Sequence, residues 1–202
     1  MVEWFVERPW VAGVVTFFLM WSDWVLTILQ ERERQLHYAD HYESYPVNTI
    51  EGHPLFQKVV SARRIAEPRH LIPALVLSVI VAFALVWIPE DYRVVLIGYV
   101  WGLYLIVDTT HVGNILGYRA GRRGLHGKLY LHMRTGYVIQ LSRYIALAIF
   151  LILLAVCSAS PFIIGVALAG VSSAARQLVW MRRIPAIDAA DTPPSNMQLD
   201  PQ

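Results

Sequence analysis

PWVAGVVTFFLMWSDWVLTILQERERQLHYADH, residues 9–41, runs without a break from an apolar stretch into a charged one. Within it Asp23, Thr27, Gln30, Arg34, His37 and His41 recur at spacings of four, three, four, three and four. At 3.6 residues per turn this rhythm predicts one polar face on a continuous helix, about 27 Å from first residue to last. Pro9 to Leu29 is long and apolar enough to cross a bilayer, and it lacks the basic flank and small-residue cleavage site of a signal peptide. Asp23 is then an acid within hydrocarbon, where ionisable groups are costly and serve pairing or function.

The rest of the chain agrees with a membrane setting. Of 202 residues, 56% are apolar and only 16% charged, well below the quarter or so typical of soluble domains. The mean hydropathy is +0.45. Further apolar runs at 71–87, 94–116, 137–159 and 161–180 each approach the ~20 residues needed to cross a bilayer. With the first run at 9–30 they predict an all-α integral membrane protein, a five-transmembrane-helix bundle over residues 1–185. The tail, 186–202, has too little apolar content to fold and reads as disordered. No basic footprint for nucleic acid is present, and the single cysteine, Cys157, excludes an intrachain disulfide and a thiolate-rich metal site.

Six of the seventeen Lys and Arg fall in the segment 31–70, five in 117–136 and two after the last span, against Arg8 and Arg93 on the other side. The positive-inside rule then places the N-terminus outside and the C-terminus in the cytoplasm of a multi-pass cell-membrane protein, with the first helix extended into the cytoplasm. Within 31–70, Leu55, Phe56, Val59 and Val60 share a helical face and Lys58, Arg63 and Arg64 can snorkel. This predicts a short interfacial helix over 54–66, entered through a chain reversal at Tyr45–Pro54.

Counting from the cytoplasmic helix ends puts Asp23, His111, Arg143 and Arg176 in one layer, roughly 10 Å inside the boundary. Asp108 lies a turn further in, on the face of His111. Two acids and two arginines at one depth would pair in the bundle interior. Asp108-Thr109-Thr110-His111-Val112-Gly113-Asn114 gathers a carboxylate, hydroxyls, an imidazole and an amide within two turns. Asp108 and His111 at i, i+3 could orient one another or share a metal. Gly113 and Gly117 would allow close approach by another helix or a ligand, helix packing being the ordinary use, and Gly165, Ala169 and Ser173 form a small-residue packing seam.

Asp23, Asp108 and His111 are thus the candidate catalytic residues. Asn114, Gln140, Arg143 and Arg176 are the candidate substrate-binding residues, the arginines suiting an anionic headgroup. His37 and His41, a helical i, i+4 pair near Asp40 and Glu43, join Asp108 and His111 as candidate ligands for zinc, iron or manganese, with Glu51, His53 and His70 able to complete a site if the loop folds back. These features predict a small membrane-embedded enzyme with a cytoplasmic-side polar site, acting on a lipid or isoprenoid-like substrate. The alternatives are a proton-coupled transporter and a non-catalytic membrane subunit or scaffold whose polar layer fixes helix register. Membrane lipids are the expected partners, with a homo-oligomer or a membrane partner subunit as further possibilities.

Overall fold

The structure, a computed structural model, describes residues 2–39, 41–45, 50, 54–124, 127 and 129–184. Its elements are α1 (Val2–Val6), α2 (Pro9–His37), β1 (Tyr42–Tyr45), α3 (Pro54–Ser61), α4 (Pro68–Trp87), α5 (Glu90–Gly124), β2 (Leu129–His132), α6 (Met133–Ser158) and α7 (Pro161–Arg183). Five of these helices, α2, α4, α5, α6 and α7, are long and apolar enough to cross a membrane. Their starts follow from local chemistry. Pro9, Pro68 and Pro161 occupy first-turn positions, where a missing N–H costs nothing. Glu67 accepts from the Arg69 N–H, and His132 Nδ1 accepts from the Arg134 N–H at 3.1 Å. Glu90 and Asp91 place negative charge in the first turn of α5.

Two expected boundaries change. The polar-striped first helix ends at His37, so His41 lies beyond it in a turn and the helical His37/His41 pair is not formed. The helix expected over 54–66 stops at Ser61, and Arg63 then takes a left-handed conformation with φ 54°. Its Val59 and Val60 are buried with Trp24 and Ile28 of α2, while Lys58, Arg63 and Arg64 remain exposed. The expected tail 186–202 and most of the reversal at 45–54 lie outside the described residues.

Beside the helices stands a small two-stranded parallel sheet, β1 beside β2, in register from Tyr42 with Leu129 to Tyr45 with His132. Tyr-Glu-Ser-Tyr and Leu-Tyr-Leu-His are short segments with aromatic residues that fit a pleated surface. Each lies in a different polar connection, so only tertiary proximity creates the strands.

The helices pack in the spatial order α4, α2, α5, α7, α6. The tightest joint is α5 on α7. A Cβ placed on Gly165 would collide with the Val95 carbonyl oxygen, and one on Gly98 with that of Phe162. Gly165, Ala169 and Ser173 are all buried there, as expected of a packing seam. Gly113 and Gly117 have open space around them instead of the expected close neighbour. At the ends of the row, α4 exposes Ile72, Val76, Ile80 and Phe83, and α6 exposes Ile145, Ile149, Phe150 and Leu153, the apolar surface that lipid-facing helices need. On the tight corner between α6 and α7, Ala159 caps α6 in a left-handed conformation, φ 49°. Ala159→Gly removes the Cβ penalty there and is expected to raise stability by up to about 1 kcal/mol in mixed-micelle unfolding.

Candidate functional site

The polar face of α2 meets α5 around His111. The Nε2 of His111 lies 3.1 Å from Asp23 Oδ1 and 3.2 Å from Thr27 Oγ1. Thr27 gives its own hydrogen to the Asp23 carbonyl at 2.9 Å, so its oxygen is free to accept. A carboxylate can only accept; Nε2 therefore carries a hydrogen shared between the two. On the other side of the ring, Nδ1 is hydrogen-bonded to the side-chain oxygen of Gln30. Gln30 in turn reaches the Tyr118 hydroxyl at 3.5 Å. Asp23, Thr27 and Gln30 follow from the spacing of the sequence, which turns them toward one neighbour.

Asp108 sits a turn further along α5 and is engaged with Ser22, whose hydroxyl lies 2.6 Å from Asp108 Oδ2 and 2.8 Å from the Leu19 carbonyl. One hydroxyl hydrogen cannot serve both. The charged carboxylate is the stronger acceptor, so the Ser22 hydroxyl donates to Asp108 Oδ2. The second carboxyl oxygen, Oδ1, is buried with no hydrogen-bond partner among the described residues.

Next to this network lies a buried ion pair that the charge pattern conceals. Glu31 is fully buried and grips Arg34 through two contacts of 2.9 and 2.8 Å, and Gln35 adds a third hydrogen bond to Glu31 at 2.7 Å. In the sequence these residues stand where the apolar run gives way to a charged one. The available signal was the stripe itself, which carries Arg34 on the same face as Asp23 and Gln30.

A cavity of about 300 Å³ opens beside His111, between α2, α5, α6 and α7. Gln30, Asn114, Gln140 and Gln177 bring amides to its wall, one from each helix. Tyr118, Tyr137 and Tyr144 bring phenols, and Arg34 is its charged side chain. Gly136 leaves room on the α6 side. Since α2 packs on α4 and α5 while α6 packs on α7, the cavity fills the space between two halves of the row. The β1–β2 pair joins the chain leaving α2 to the chain entering α6 across that space.

Arg143 and Arg176 do not line this cavity; both are exposed, and neither is paired with a carboxylate among the described residues. Depth counting fixes a level along an axis, not a rotation about it. Arg143 is three residues from cavity-lining Gln140, and Arg176 is one residue, or 100°, from Gln177. The expected interior pairing of two acids with two arginines is replaced by the Asp23–His111 contact alone.

His37 and His41, expected as metal ligands, face different partners. His37 Nε2 lies 3.9 Å from Glu33, whereas His41 Nδ1 faces the Gly127 carbonyl at 3.0 Å. His70 stacks on Trp24 at 4.8 Å. Asp40, Glu51, His53 and the Glu43 side chain lie outside the described residues. Among the described residues no group of three or more His, Cys, Asp or Glu side chains is placed to hold a metal ion.

Beyond the apolar run of α2, Arg119 donates to Glu33 at 2.7 Å and holds that carboxyl below its ordinary value. A depressed carboxyl favours the folded state above its ordinary titration range, so this tie between α2 and α5 persists at neutral pH and loosens only as acidification protonates Glu33. Burial raises the Tyr38 hydroxyl above its usual value, where its ring meets Tyr118 at 4.8 Å.

Fold and site together define a class: a small multi-pass helical membrane protein with a hydrogen-bonded polar cavity at its loop-rich end. No protein-family model, curated protein or solved structure matches the chain.

Proposed function

We propose that the chain is a small membrane-embedded enzyme performing acid–base chemistry on the polar head of a lipid or isoprenoid-like substrate, whose tail stays in the bilayer. The observation that carries this reading is the placement of His111, an imidazole on the cavity wall fixed from behind by Asp23. With Nε2–H held by Asp23 and Thr27, Nδ1 is the atom free to exchange a proton. Gln30 meets a protonated Nδ1 with its oxygen and, after a flip of the amide, a neutral one with its NH2. A substrate hydroxyl that displaces this amide meets Nδ1 as base, and Asp23 stabilises the imidazolium that results.

Asp108 is a second carboxyl beside the pair. Asn114 and Gln140 hold the head, and the exposed Arg143 and Arg176 face anionic headgroups of the surrounding lipid. The gap between α2 and α6 is the entry route. The excess of Lys and Arg in the connections at this end favours a cytoplasmic site, an outside N-terminus and a cytoplasmic C-terminus. A carrier would need a relay beyond Ser22 and Asp108; the next polar groups along α2 and α4, Thr16 and Ser78, donate to carbonyls of their own helices.

The test is mass spectrometry of a bacterial total lipid extract incubated in nanodiscs with wild type, His111→Ala or Asp23→Asn. One lipid species is expected to be converted by wild type, with the rate falling about 10²–10⁴-fold in His111→Ala. An extract unchanged by wild type, or conversion that survives His111→Ala, overturns the reading. Proton uptake into sealed vesicles that depends on His111 would put the carrier in its place.

A further inference from the structure

We infer that the cavity binds an uncharged, hydroxyl-rich head, of the kind a glycolipid carries, and not a phosphate group; this deepens the reading of the cavity as a substrate site and rests on it. The wall's free hydrogen-bonding capacity decides the matter. Asn114, Gln140 and Gln177 come from three different helices, and none has a hydrogen-bond partner among the described residues. Each amide offers two N–H donors and a carbonyl acceptor within one rigid plane. A hydroxyl group is also both donor and acceptor, so adjacent hydroxyls on one sugar or polyol satisfy an amide at both ends.

Other heads fit worse. A phosphate needs uncompensated cations, but Arg34 is already neutralised by two contacts from Glu31, and Arg143 and Arg176 are off the wall. A quinone only accepts, which would leave the amide oxygens unmatched. The volume, about 300 Å³, is at the small end of ligand clefts. That suits a single head with its tail outside, through the gap between α2 and α6.

The experiment measures binding, so it is separate from turnover. Protein in phosphatidylcholine nanodiscs is titrated with monoglucosyl-diacylglycerol, phosphatidic acid and free glucose, and tyrosine and tryptophan fluorescence is followed. The glucolipid is expected to bind, and Gln140→Leu and Gln177→Leu together are expected to weaken it about tenfold or more, the equivalent of two neutral hydrogen bonds. Because neither amide has a hydrogen-bond partner among the described residues, the thermal midpoint without ligand is expected to stay at the wild-type value in the double variant, which separates lost recognition from misfolding. Binding of the glucolipid but not of glucose assigns the head to a lipid, and equal binding of both assigns it to a soluble sugar; either supports the neutral, hydroxyl-rich head. Tighter binding of phosphatidic acid, or no response to the glucolipid, overturns the inference. Glucolipid binding without any lipid conversion would leave the inference standing and remove the enzymatic reading.

Discussion

Glu31→Ala is expected to cost about 3–5 kcal/mol of folding stability, because it strips a buried guanidinium of its carboxylate. Glu31 has no solvent exposure, and the Arg34 side chain has 7%. Both contacts between them are short, and Gln35 adds a second hydrogen bond at Oε1 of the carboxylate. Removing the acid takes two short contacts from Arg34, and since Arg34 lines the cavity the wall would move with it. Glu31→Gln keeps one acceptor oxygen and is expected to lose less. Replacing both partners at once, Glu31→Met with Arg34→Leu, is expected to recover much of the loss, because no charge is then left buried. Unfolding in mixed micelles of increasing denaturing-detergent content measures all three. A Glu31→Ala protein as stable as wild type would mean that the pair is hydrated and holds nothing together.

Gly165→Val is expected to break the α5–α7 joint, at a cost of at least about 3 kcal/mol, the upper end for overpacking a core. The usual cost is limited because flexible side chains yield. Here the added carbons meet the backbone of α5 at Val95 and Gly98, which cannot yield without separating the helices. The same substitution at Gly98 meets the Phe162 carbonyl and is expected to be as damaging. Gly113 provides the contrast. Its surroundings are open, so Gly113→Ala is expected to stabilise α5 by about 0.5–1 kcal/mol through backbone entropy alone. Stability curves for Gly165→Val and Gly113→Ala that move together would show that helix propensity, not close approach, governs both positions.

The five spans were legible because hydropathy over twenty residues is a one-dimensional signal. The α2 stripe was legible because its period fixes a face, and Asp23, Thr27 and Gln30 do converge on His111. What failed needed rotation or tertiary proximity. Counting puts Arg143 and Arg176 level with His111, yet both are exposed and off the cavity wall; neither sits in a periodic polar stripe that would have fixed its face. Glu31 stands where the apolar run gives way to a charged one; only the positions three and four along, Arg34 and Gln35, distinguish the buried face. The strands β1 and β2 carry no local signature strong enough to separate them from loop, because each exists only against the other.

That strand pair also sets an order of events. Parallel strands cannot be joined by a short turn, and the chain between β1 and β2 includes α3, α4 and α5. During synthesis the backbone groups of β1 must wait, without a ladder partner, until two more helices have entered the bilayer and β2 has emerged. Closing so long a loop is entropically expensive and slow relative to helix formation. The cavity mouth is therefore among the last parts of the molecule to close, and until then the half-built protein has an accessible strand edge that a chaperone or an insertase could occupy.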